Sequence, residues 1–128
     1  MAAGVQARAD GLPITIEVCP HHLLYTGDSV PEGATEFKCA PPLRDRDNKM
    51  ALRQATKQGK IGSIASDHSP TVPEQRFLEE GNFLKAWGGI GGVQYLLPAA
   101  NTVARVHLLM LCRVYTGCRE DSCICCSA

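Results

Sequence analysis

Apolar residues along this chain fall into short β-branched clusters and longer helically spaced stretches, with Gly and Pro between them. Residues 2–10 are Ala-rich helix formers that run into Gly11 and Pro13, which reads as the tail of a helix. Ile14 to Val18 is a β-branched run closed by Cys19-Pro20, a strand with its own terminator, and it leaves His21 and His22 on the exit loop. Tyr25 to Pro42 is rich in Gly, Pro, Asp and Glu and reads as a long excursion of the kind that usually carries function. Asp45 or Asp47 caps a helix running to about Gln58, with Met50, Leu52 and Ala55 as its apolar face and Gly59 as its stop. Ile61 to Ala65 follows as a short strand, and Ser66, Asp67 and His68 emerge from its carboxyl end.

Helix, strand, long loop, helix, strand is the order of a parallel α/β architecture, in which polar residues at strand carboxyl ends are the active-site candidates. Pro73 to Glu80 reads as a short helix closed by Gly81, and Gly88, Gly89, Gly91 and Gly92 permit close backbone approach or positive φ. Beyond Pro98 the character changes. Residues 99–116 read as a helix whose apolar positions, Val103, Val106, Leu108 to Leu111 and Val114, wrap too far round for one clean face. Residues 117–128 read as a disordered Cys-rich tail without periodicity. The expected organisation is therefore a partial barrel domain over 1–98, a helix over 99–116 and the tail over 117–128.

Composition narrows the function classes. Thirteen basic residues balance thirteen acidic ones among 128, so no net field draws the chain to nucleic acid, an anionic membrane or a polyanion. A small neutral substrate fits better, and sparse aromatics argue against stacking on bases. Apolar residues make up 45% of the chain, which suits a packed core and not a disordered polymer. Only Cys19 and Cys39 precede the last stretch, where the other five of the seven cysteines gather, so the count does not read as a disulfide framework. Reduced thiols and the absence of a signal-peptide pattern point to an intracellular, cytoplasmic setting, with the reservation that a parent's targeting signal can lie outside these residues. The longest apolar run, Val106 to Cys112, is interrupted by His107 and far short of a membrane span.

Three clusters carry chemistry. Ser66-Asp67-His68-Ser69-Pro70 places a carboxylate where it can ligate a cation or move a proton at an attacking water, although alone it also reads as a capping Asp. Lys38-Cys39-Ala40-Pro41-Pro42-Leu43-Arg44-Asp45 is a rigid loop that presents backbone groups to a small ring, or else a stiff connector. His21-His22 invites a metal, but adjacent positions point different ways and no third donor stands out nearby, so a structural or ligand-orienting role is the simpler reading. Cys123 and Cys126 give one Cys-x-x-Cys spacing without the second pair that a zinc site needs.

The series Ile16-Glu17-Val18-Cys19-Pro20-His21-His22-Leu23, Glu36 to Asp45, Ser66 to Pro70 and Gly81-Asn82-Phe83-Leu84-Lys85-Ala86-Trp87-Gly88-Gly89-Ile90 resembles the allantoinases of the amidohydrolase superfamily, over about residues 4–98. The resemblance implies about the last two β/α units of a (β/α)8 TIM-type barrel. It also implies a zinc-dependent hydrolase, usually homo-oligomeric, that opens the hydantoin ring of allantoin to allantoate in purine breakdown. Asp67 matches the family's aspartate on the eighth strand, a metal ligand and the catalytic proton carrier. Cys39, Ala40, Pro41, Gly88 and Gly89 match segments beside the substrate ring, while His21 and His68 match positions that orient ligands without holding metal. The family's other donors are a His-x-His pair, a carboxylated lysine and two further histidines. No His-x-His occurs in this chain, and His22 stands where relatives carry Tyr.

A complete barrel of this type takes about 250 residues, roughly twice what is present. The expectation is a chain inactive alone that carries one side of an allantoinase site. The alternatives are a non-catalytic truncated product, a dihydroorotase- or hydantoinase-like cyclic amidohydrolase, or a small zinc-binding protein using the cysteine tail.

Overall fold

The computed structural model describes residues 2–106. Helix α1 (Ala2–Ala9) is stopped by Gly11 at φ +83°, and Arg8 at its end donates to the carbonyl of Lys60 at 3.0 Å. Strand β1 (Glu17–Val18) pairs in parallel with β2 (Ser63–Ile64), in the register Glu17 to Ser63 and Val18 to Ile64. Bonds from Gly62 N to Ile16 O (2.8 Å) and from Ala65 N to Val18 O (3.1 Å) extend the ladder at both ends. Each strand occupies only part of the run that predicts it, Ile14 to Val18 and Ile61 to Ala65, and no further strand among the described residues pairs along their outer edges.

His21 and His22 do not lie on a loop. They belong to α2 (Pro20–Leu24). Pro20 terminates the strand and also opens the helix: at its first position the missing N–H has no partner to lose, φ is preset, and Cys19 is extended as the N-cap. The last carbonyls of α2 are met by cations from α3 (Arg46–Lys57): Arg53 Nε donates to Leu23 O at 2.7 Å and Lys49 Nζ to Leu24 O at 3.3 Å.

Helix α3 starts as expected. Asp45 accepts from Asn48 N at 2.8 Å, and Gly59 beyond its end takes φ +69°. Its inward side, however, is Ala55 and Thr56, which are buried, with Leu52 partly buried beside them, whereas Met50 is 45% exposed. Two residues rotate a helix by about 200°, so Met50 faces away from Leu52.

The short helix expected over Pro73 to Glu80 is a single 3-10 turn, Pro73–Gln75, followed by turns. Phe77 at φ +50° takes a left-handed conformation through which no α-helix continues. Helix α4 (Leu96–Val106) begins three residues ahead of the expected 99, since Pro98 is harmless in a first turn. The rest of that expected helix, 107–116, and the tail over 117–128 lie outside the described residues.

Helix α2 packs against both α3 and α4, over a core of Val18, Leu23, Ala55, Ile61 and Val103. Ile16, Leu24, Leu52 and Ile64 flank it, and Ala100 and Ala104 let α4 approach closely. The result is a small parallel α/β unit with Leu23 at its centre.

Leu23→Ala, at a side chain with no exposure, is expected to cost about 2–5 kcal/mol in urea unfolding. Leu84→Ala, at a residue 95% exposed, should stay within about 0.5 kcal/mol, and equal effects would contradict this core.

Candidate active site

Parallel pairing brings the carboxyl ends of β1 and β2 to the same edge, so Cys19 to His22 and Ser66 to His68 emerge side by side. Asp67 is exposed and has φ +45°, a left-handed conformation that Asp tolerates better than most residues. Its carbonyl accepts from Ser69 Oγ at 3.0 Å.

The segment around Gly89 is stitched to this strand exit. His68 forms a parallel bridge with Ile90, Ser69 N donates to Ile90 O at 3.0 Å, and Ile90 N donates to Ser69 Oγ at 3.1 Å. Val93 N donates to His68 Nδ1 at 3.3 Å, which makes that nitrogen the acceptor of an exposed imidazole. Gly89 has φ +133°, and a Cβ there would run into the carbonyl oxygen of Ser69. Only glycine permits this approach.

The paired-proline loop closes the third side. Gly89 N donates to Lys38 O at 2.8 Å, and Lys38 Nζ donates to Phe83 O and Ala86 O, each at 2.6 Å. Gly88 lies against Lys38 and Cys39. The Ala40–Pro41 peptide is cis, Ala40 and Pro41 are exposed, and His22 Nε2 meets Pro41 O at 3.0 Å. Asp67, Cys39, Ala40, Pro41, Gly88, Gly89, His21 and His68, scattered over the sequence, therefore stand on three adjoining segments and α2.

Electrostatics tie Asp67 to two of those segments. Burial raises the Cys39 thiol, and the Asp67 carboxylate adds to that rise against a backbone hydrogen bond at Leu43. Burial also raises Cys19, reinforced by Asp67, Glu17 and Cys39. Burial lowers His21 from 6.5 to about 4, the neighbouring His22 adds to the fall, and Asp67 opposes it. His21 is thus neutral at pH 7, with Nε2 buried and without a hydrogen-bond partner.

Sequence reasoning found no third donor near the two histidines, and here the structure differs. Donor atoms of Cys19, His21 and His22 lie within 4.8 Å of one another. The Cys-Pro-His-His run carries the signal, but only a helix opening at Pro20 folds Cys19 back beside the imidazoles. Lys38 was equally silent in sequence, because its carbonyl partners lie 45 and 48 residues away.

One concavity is lined by His22, Tyr25, Arg44, Asp45 and Leu52, and another by Val5, Arg8 and Lys60; Asp67 lines neither. Asp67, the metal ligand expected from the resemblance, is a single exposed carboxylate, and one such group does not fit a two-metal centre by itself.

No protein-family profile matches the chain. Among curated proteins, the allantoinase of Arabidopsis thaliana is 48% identical over 93 residues, covering 73% of this chain and 18% of that protein. The protein named mitochondrial allantoinase of Aquarana catesbeiana is 46% identical over 102 residues, covering 80% of this chain and 21% of its own length. The chain is homologous to the allantoinases. It spans about a fifth of the length of these relatives. Among solved structures, the D-hydantoinase (dihydropyrimidinase) of Thermus sp. superposes with a TM-score of 0.71 at 29% identity, covering 83% of this chain and 24% of the other. The parallel strand pair and its helices are thus similar in fold to part of that structure.

In metal-free buffer, His21 makes stability fall on acidification. Its folded pKa lies below 6.5, so the unfolded chain binds more protons between about 6.5 and 4, and stability rises with pH across that window. The unfolding midpoint of the chain relative to His21→Gln should therefore drop from pH 6.5 towards 4 and level off below; a flat difference would contradict a desolvated His21. Gly89→Ala should cost about 1–3 kcal/mol and speed amide exchange at Ser69 and Ile90, the two hydrogen-bonded partners across that contact.

Proposed function

We propose that these residues form one wall of an allantoinase-type active site, built on the last two β/α units of a (β/α)8 barrel. The observation that carries the reading is convergence: the parallel pairing of β1 and β2 brings the exits holding His21 and Asp67 to one edge, and hydrogen bonds join the Lys38, Ser69 and Gly89 segments beside them. The identity with the allantoinases supports the substrate.

In this reading a water adds to the carbonyl of the ring amide. Asp67 takes the proton from that water and returns it to the ring nitrogen as the carbon–nitrogen bond breaks, so the carboxylate is regenerated. Cys39, Ala40 and Pro41 bound one side of the ring, and Gly88 and Gly89 offer backbone to its carbonyls. Lys38 acts at one remove, holding the paired-proline loop to the carbonyls of Phe83 and Ala86. His21 and His68 hold the strand exits. One exposed carboxylate does not retain divalent ions against hydration, so zinc in such a site rests on donors from other polypeptide.

The balanced charge suits a small neutral substrate, and free thiols at Cys19 and Cys39 suit an intracellular compartment. No helix among the described residues is long and apolar enough to cross a membrane. A hydantoinase-like substrate is the second reading, favoured by the Thermus structure, but the identity with that protein is lower than with the allantoinases.

The test is a chimera in which residues 4–98 replace the matching segment of a full-length allantoinase. Ring opening of allantoin should persist, and Asp67→Asn should lower kcat by about 100-fold or more. The 128-residue chain alone should not turn over allantoin. A folded chimera that is inactive, or indifferent to Asp67→Asn, would overturn the proposal.

A further inference from the structure

We propose that Cys19, His21 and His22 form a binding site for a single divalent ion of the zinc class, distinct from any centre built on Asp67. Three observations carry it. Their donor atoms already lie within 4.8 Å of one another. A tetrahedral ion with bonds of about 2.0–2.3 Å places its ligands roughly 3.3–3.8 Å apart, so the cluster needs to close by only about 1 Å.

Second, His21 is 6% exposed and its Nε2 is buried with no partner. Buried ring nitrogens without partners are uncommon, and the usual remedies are a water or an ion. Third, the His22 ring is held by a backbone carbonyl. Its Nε2 meets the carbonyl of Pro41 at 3.0 Å, and a carbonyl only accepts, so that nitrogen carries the hydrogen. The lone pair is then on Nδ1, and a backbone carbonyl on the far nitrogen is the usual way a metal-binding imidazole is held.

Local folding explains how neighbouring residues converge. Cys19 is extended as the N-cap while His21 and His22 are already helical, so the backbone bends between thiol and imidazoles. The two rings stand 4.3 Å apart. One sulfur and two imidazole nitrogens suit zinc or cobalt better than a hard cation such as magnesium. Binding replaces the S–H bond of Cys19 by an S–metal bond and releases one proton to solvent. Three protein donors leave the fourth position for water, and the nearby carboxylate of Asp67 favours the cation without ligating it.

The probe is cobalt(II), titrated into the full chain with Cys112→Ser, Cys118→Ser, Cys123→Ser, Cys125→Ser and Cys126→Ser. One equivalent should bind with a thiolate-to-cobalt charge-transfer band that zinc abolishes. Cys19→Ser should remove the band, and His21→Gln or His22→Gln should weaken binding on the order of tenfold or more. Cys39→Ser and Asp67→Asn should leave the band in place, which separates this site from the hydrolase reading: loss in Asp67→Asn alone would mean that the ion sits on Asp67. Zinc should also raise the unfolding midpoint of the same chain, and His22→Gln should erase the rise, a readout that holds even where Cys19→Ser is unstable. No band, a band that survives Cys19→Ser, or a zinc-induced rise that survives His22→Gln overturns the proposal.

Discussion

Parallel strands end at the same edge, and nearly everything of interest in this chain follows from two of them doing so. The ladder joining Glu17–Val18 to Ser63–Ile64 is short, but its direction decides that the segments after Val18 and after Ile64 leave side by side. An antiparallel pairing would send Cys19 and Asp67 to opposite ends. The long connection between the strands, carrying α2, the paired-proline loop and α3, is what a parallel crossover requires. The site is therefore a consequence of topology before it is a matter of individual side chains.

The features legible in sequence were those with a local cause. Asp45 at the head of α3, Gly59 beyond its end and the β-branched strands each depend on residues within a few positions. Two misreadings also have local explanations. Pro20 marks the end of a strand and the start of a helix with equal force, and a helix of five residues shows no periodicity to break the tie. Met50 is apolar by residue type, but its angular position keeps it off the inward side of α3. The contacts that assemble the site were not legible at all: Lys38 reaches across 45 and 48 residues, Ser69 and Ile90 across 21.

The core is modest for so much chain. Among the described residues its fully buried large apolar side chains are Leu23 and Val103, while Val72, Trp87, Tyr95 and Leu97 are each about half exposed or more. Burial on this scale offsets little of the entropy lost on ordering a hundred residues. The outer edges of both strands also carry backbone groups that no described strand pairs. The chain spans about a fifth of the length of the curated relatives it matches, and its described residues show both features.

That exposure separates two kinds of chemistry at the strand exits. Asp67 stands in solvent, where a lone carboxylate is well hydrated and holds a dication weakly. His21 sits on the adjacent exit under the packing of α2, where water does not reach Nε2 and neutrality is already imposed. Sulfur and imidazole donors therefore gather on one strand exit, and an exposed carboxylate stands on the other. The distinction comes from which strand exit turns into a helix: Pro20 folds its exit into the core, and Asp67 in its left-handed turn leaves the other open.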